Sequence, residues 1–240
     1  MNVHAALDPS FSQVMGSKSS KLVKDGDNTI IIAVIGLSGA GKSTVKPFAV
    51  PVRDRCSQIY KFINSATENT TVEVGHTLKP KTVDIQCVMC RASLDDGGER
   101  QILFVETPGF DSDNDAQKIS KKLKSWLDDA ASRNFKISGI LYLHRITDPK
   151  LANPPIAHLT LLRALCEQSV KGFPNRVILV TTMWNTGQSI AKGENREKEL
   201  QKYWDEQSRV LGGVVAQIMR FDPRVSDSAM STVRALMKQS

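Results

Sequence analysis

Gly36, Leu37, Ser38, Gly39, Ala40, Gly41, Lys42 and Ser43 fit the spacing G-x-x-x-x-G-K-[ST], and that spacing carries a chemistry. The glycines let the backbone curl until successive N–H groups face one point, where phosphate oxygens can sit. The Lys42 ammonium reaches the β- and γ-phosphates of a nucleotide. The Ser43 hydroxyl ligates Mg2+, and Thr44 ends the nucleotide-binding stretch. A second acidic piece lies downstream, where Glu106-Thr107-Pro108-Gly109-Phe110-Asp111 follows an apolar run. A carboxylate at a strand end beside a phosphate loop holds Mg2+, often through water. Three residues on, the Gly109 N–H can donate to a γ-phosphate.

These groups meet only if the right elements carry them. Ile30 to Ile35 is apolar and mostly β-branched, which reads as a buried strand feeding the loop. A helix opening near Gly41 adds its N-terminal amides to the same anion site. Residues 83–92 alternate as a second strand. Asp95-Asp96-Gly97-Gly98 marks a hairpin to a third strand, Gln101 to Glu106. Downstream, helix patterns at 117–133, 154–170, 195–210 and 226–238 alternate with strand patterns at 137–144, 176–182 and 214–221. The alternation implies a three-layer α/β/α P-loop NTPase fold, its sheet mostly parallel with one antiparallel edge hairpin. Ligand then sits at the C-terminal ends of the strands.

The chain has 240 residues and a net charge of +7. Its lysines and arginines are scattered, which describes a solvated basic surface and no specific nucleic-acid site. Residues 1–28 are rich in Ser, Lys, Asp and Gly and read as a disordered tail, and 29–239 as one domain. No apolar run is long enough for a transmembrane segment. The four cysteines build no disulfide framework, which points to a reducing, cytoplasmic setting. Cys87-x-x-Cys90 resembles half a zinc site. It falls in a strand, however, where positions three apart face opposite sides, so it reads as structural.

Residues 45–61 interrupt the first helix. Pro47 is tolerable in a first turn, but Pro51 would break an interior. Joining Thr44 to Phe62 restores a continuous amphipathic helix, GKSTFINSATEN. That joined stretch resembles the septin-like and AIG1-like branch of P-loop GTPases, especially fungal G-domain proteins. The insertion is either a retained intron or a true surface insertion. Val45 can supply a GT border and Lys61 an AG border. The antiparallel edge also resembles translation-factor-type GTPases rather than kinases.

The resemblance extends over residues 30–238 and implies a guanine-nucleotide-binding protein, a slow Mg2+-dependent GTPase switch. In it, a threonine before the second strand closes the first switch on Mg2+ and the γ-phosphate. Thr82 is the candidate, after Gly75-His76-x-Leu78, with Thr77 as the alternative. Lys42 and Thr82 are then the catalytic residues, and Ser43, Thr82 and Glu106 the metal ligands. Glu106 stands where the family has Asp, and Phe110 replaces the water-orienting Gln of Ras-like enzymes. Turnover is accordingly slow, or helped by a homodimer formed through this domain. Thr181-Thr182-Met183-Trp184-Asn185 resembles the family's base-reading segment, Thr-Thr-Met-Trp-Asp, so Thr182 and Asn185 are base-side residues. An amide offers guanine one donor group and one acceptor where a carboxylate only accepts, and it also suits xanthine. The loop after the 137–144 strand lies near a dimer partner in this family. Other readings are an inactive, self-assembling nucleotide-binding scaffold and an ATPase or small-molecule kinase.

Overall fold

The computed structural model describes residues 29–36, 62–63, 65–66, 85–93, 98–107, 118, 121–128, 137–148, 176–184, 190–210, 217–225 and 227–238. β1 (Thr29–Gly36) has no polar face, so only a position buried on both sides suits it. It lies inside a six-stranded sheet of order β2-β3-β1-β4-β5-β6. The other strands are β2 (Gln86–Ser93), β3 (Glu99–Glu106), β4 (Ile137–Arg145), β5 (Val177–Thr182) and β6 (Gln217–Arg220). β1 pairs parallel with β3 and β4, β4 with β5, and β5 with β6. Only β2 runs antiparallel, along β3 at one edge. This is the α/β fold expected from the sequence, the antiparallel edge pair included.

The two-residue period of the strands divides the interior into two cores. Ile31, Ala33, Ile35, Leu103, Val105, Ile140, Tyr142, Val177 and Leu179 face one side. There they meet Leu123, Trp126 and Leu127 of the 121–128 helix, and Leu200 and Trp204 of the Ile190–Val210 helix. Ile32, Val34, Ile102, Phe104, Leu141, Leu143, Ile178 and Val180 face the other. Helical residues Phe62, Ile63 and Ala66 cover them, with Ala229, Val233 and Leu236 of the Ser228–Lys238 helix. Phe62 meets Phe221 edge-on, with ring centroids 5.1 Å apart.

β1 and β4 slip register between Ile31 and Ile32, so Ser138 has no partner across the ladder. Its hydroxyl accepts the Ile31 N–H instead, at 3.4 Å. Gly139 follows because the C-terminal helix presses close. A Cβ there would lie 2.7 Å from a methyl of the fully buried Leu236.

The two cysteines of the C-x-x-C pair face opposite cores, as the strand period requires. Cys87 packs against the first, and Cys90 is buried in the second. Burial pushes the Cys90 thiol up to about 12. Among the described residues, no helix is long and apolar enough to cross a membrane.

Two boundaries differ from those read in the sequence. The helix expected at 195 starts at Ile190. Its first turns lack apolar periodicity, and Gly193 is a poor helix former. What supports them is tertiary: the ring of Trp184 lies against Gly193. β6 ends at Arg220, one residue short of the end expected for the 214–221 strand, whose first residues lie outside the described residues. The interrupting segment 45–61 and the helix expected at 154–170 lie outside the described residues.

Candidate functional site

Parallel strands put their C-terminal ends on one edge of a sheet, and the expected site residues that are described, Gly36, Glu106 and Thr182, end their strands there. Val34 is level with Glu106, Gly36 with Leu143, and Arg145 with Thr182. The Thr107 N–H donates to the Val34 carbonyl at 3.2 Å, which keeps the end of β3 beside the end of β1. Along this edge the order is Glu106, Gly36, the His144–Arg145 end of β4, then Thr182. Leu37, Ser38, Gly39, Ala40, Gly41, Lys42, Ser43, Thr44, Thr82, Gly109 and Asn185 lie outside the described residues.

Glu106 is a buried carboxylate, 3% exposed. A charge at that depth requires cationic or hydrogen-bonding company. Its position beside the start of the phosphate-loop motif and its oxygen chemistry both fit a hard divalent cation. Thr182 is fully buried. Its hydroxyl donates to the His144 carbonyl at 3.4 Å, and its own carbonyl accepts the Ile146 N–H at 2.9 Å. The side chain of Thr182 thus ties β5 to β4.

Immediately after Thr182 the backbone turns. Met183 has φ 65°, the left-handed region a side-chain-bearing residue avoids. The next residue, Trp184, is gripped on several sides. Its Nε1–H donates to Thr181 Oγ1 at 3.1 Å. The Thr181 hydroxyl donates onward to Glu197 Oε1 at 3.0 Å, with the Met219 carbonyl at 3.3 Å as its longer option. Glu197 Oε2 accepts Arg220 Nε at 2.8 Å and Nη2 at 2.5 Å. Glu194 adds a further carboxylate 3.5 Å from Arg220 Nη1. Arg220 closes the circuit, its Cζ 4.1 Å from the centre of the Trp184 ring. Gly193 leaves room for the indole edge, since a Cβ there would sit 2.8 Å from it.

The segment at 181–185 was legible in the sequence, but this circuit was not. Glu194 and Glu197 share a helix face by their spacing, which was a visible signal. Nothing local could pair them with Arg220, because only the β5–β6 neighbour relation brings the two together.

On the same face, His144 sits level with Thr181 at the end of β4, 7% exposed. Its Nδ1 finds no partner among the described residues. Burial lowers its pKa from 6.5; Asp148 pulls the other way and Arg145 adds to the lowering. Arg145 is itself held by Asp148, Nη2 to Oδ1 at 2.9 Å. His144 is therefore neutral in the fold and protonates more readily unfolded. Its contribution to stability is complete above 6.5 and is lost as pH falls from there through the lower folded value. His144→Gln should flatten the decline of unfolding free energy between about pH 7 and pH 5. Urea titrations across that window check this. Parallel slopes in the two proteins would contradict it.

No protein-family model matches the chain, and no curated protein matches it. Solved structures do match. A dimerization-deficient mutant of Toc33 from Arabidopsis thaliana shares 14% identity with a TM-score of 0.53, over 98% of this chain and 92% of that one. A structure of the chloroplast translocon components atToc33 and psToc159 shares 14% identity with a TM-score of 0.54, over 96% of this chain and 89% of that one. Dimerization is described as important for the GTPase activity of those components. At this identity the likeness establishes the fold, which is that of GTPase domains.

Proposed function

We propose that the chain binds a guanine nucleotide with Mg2+ and hydrolyses it slowly. One observation carries the reading: a G-x-x-x-x-G-K-S motif begins at Gly36, the C-terminal end of the central strand, in a fold shared with GTPase domains. On this reading the loop amides of residues 36–44 cradle the phosphates, and Lys42 neutralises the charge that builds on the β–γ bridge. Ser43, Glu106 and Thr82 would hold the cation, whose part is to neutralise phosphate charge. Gly109 donates to the γ-phosphate, and Thr182 and Asn185 belong to the base side. The domain runs from 29 to 239, with 45–61 as an insertion.

Glu106 favours a second reading, a nucleotide-binding scaffold with little or no turnover. Its extra methylene relative to Asp disturbs the strict geometry Mg2+ demands. Dimerisation through this domain would support either reading, as it supports activity in the translocon GTPases.

The test is a titration with fluorescent GTP, with ATP and XTP as competitors, on the full chain and on a version lacking 45–61. Binding by both, with GTP the best competitor, is expected. Binding by the shortened chain alone would make 45–61 a disabling insertion. Binding by neither would overturn the reading. Single-turnover phosphate release then separates a slow enzyme from a scaffold.

A further inference from the structure

The circuit at the end of β5 is more elaborate than stability requires. The Arg220–Glu197 ion pair is partly in solvent, with the arginine side chain 46% exposed, and such pairs add little to folding. What the circuit does supply is orientation. A guanidinium fork on a carboxylate, with its flat face on an indole, fixes direction more strictly than a point charge would. The part it orients is the residue following a left-handed turn at Met183, a conformation that persists only when its surroundings hold it. It also spans three elements. Thr181 ends β5, Glu197 lies on the 190–210 helix, and Arg220 ends β6.

We propose that Arg220 and Glu197 are positioning residues for base recognition: with Thr181 and Trp184 they lock the turn at 181–184 to the end of β6, so that the approach to the base side holds one geometry. This rests on the reading of the edge as a nucleotide site. The phosphate half of that site lies on β1 and β3, on the far side of β4. The circuit therefore acts on which base is held and leaves the grip on the phosphates alone. β6 is anchored independently of the circuit. Phe221 is fully buried and its N–H donates to the Thr181 carbonyl at 2.9 Å. The Ser228 hydroxyl bonds the Arg220 carbonyl at 3.3 Å and accepts the Asp222 N–H at 3.0 Å. A break in the circuit should thus loosen the Trp184 turn without detaching the strand.

Thr181→Val opens the circuit at one atom while keeping the branched shape. Thr181→Ser keeps the hydroxyl and should restore it. Each full-length protein is titrated with Mg·GTP, Mg·XTP, Mg·ATP and, as a probe with no base, inorganic tripolyphosphate. Thr181→Val should bring the affinities for the three nucleotides together, shrinking the wild-type preference by about tenfold, with tripolyphosphate affinity unchanged. Thr181→Ser should retain the preference. Glu197→Gln, which keeps the shape and removes the charge, should behave like Thr181→Val and replaces it if the valine protein does not fold. A preference that survives both Thr181→Val and Glu197→Gln overturns the proposal and leaves the nucleotide reading standing. So does an equal loss of tripolyphosphate and nucleotide affinity, or a wild type that binds all three nucleotides alike. A wild type that binds no nucleotide removes the nucleotide reading, and this proposal with it.

Discussion

Lys42→Ala should weaken Mg·GTP binding by about a hundredfold or more. The motif gives this lysine two partners, an oxygen on the β-phosphate and one on the γ-phosphate. Hydrogen bonds to charged groups are worth about 1.5–3 kcal/mol each. Losing both removes about 3 kcal/mol at the low end, and each 1.4 kcal/mol is a factor of ten. The loop amides remain, so weak binding should survive. On this reading the lysine serves the phosphates, so the fold should not notice the change. A matched pair of measurements decides the matter: GTP affinity and the urea midpoint, each on wild type and variant. A threefold change or less in affinity would show that the motif does not grip phosphate as its spacing says. A shifted midpoint would show a folding defect instead.

Trp204→Ala should cost about 3–5 kcal/mol of stability, a large part of what an ordinary domain possesses. Trp204 is fully buried beneath the sheet, with its ring centre 6.3 Å from that of Tyr142. An alanine leaves a cavity there that a sheet on one side and a helix on the other cannot close. The nitrogen makes a finer prediction possible. Trp204 Nε1 finds no acceptor among the described residues, and a buried donor without a partner costs about 1–3 kcal/mol. Trp204→Phe gives up volume but removes that penalty, so it should cost under about 1.5 kcal/mol. Chemical unfolding of the two variants reads the difference directly. Equal losses would mean that the indole N–H is well satisfied in solution.

Much of the fold was legible because the strands carry their own evidence. TIIIAVIG has no polar face, so it had to be buried, and the Asp95-Asp96-Gly97-Gly98 signal pointed to antiparallel neighbours. Cys87 and Cys90 could be set aside as a metal pair on strand period alone, and they do face opposite cores. The start of the 190–210 helix was not legible. Ser189 is a cap-type residue, but the residues after it carry no apolar stripe, and the contact that supports them comes from Trp184 on a different element. The circuit of Thr181, Trp184, Glu197 and Arg220 escaped for a related reason. Its members look ordinary singly, and only the sheet order brings positions 184, 197 and 220 together. Expectations about the phosphate-loop residues, Thr82, Gly109 and Asn185 rest on motif chemistry and the family resemblance.

The place of β1 in the sheet also has a consequence for how the chain is made. This eight-residue strand is synthesised before either of its neighbours in the sheet. It needs partners on both edges, yet β3 is not complete until residue 106 and β4 not until residue 145. For that interval a short, uncharged, β-branched run, free of proline, has both edges unpaired, the composition that drives strand-to-strand association between chains. Burying the phosphate-loop strand at the centre of a parallel sheet thus makes the nascent chain dependent on a delayed closure. Segments that lengthen the path from residue 36 to residue 106, the 45–61 stretch among them, prolong that exposure. Yield of soluble protein on slow, cool expression is the property in which that dependence would surface.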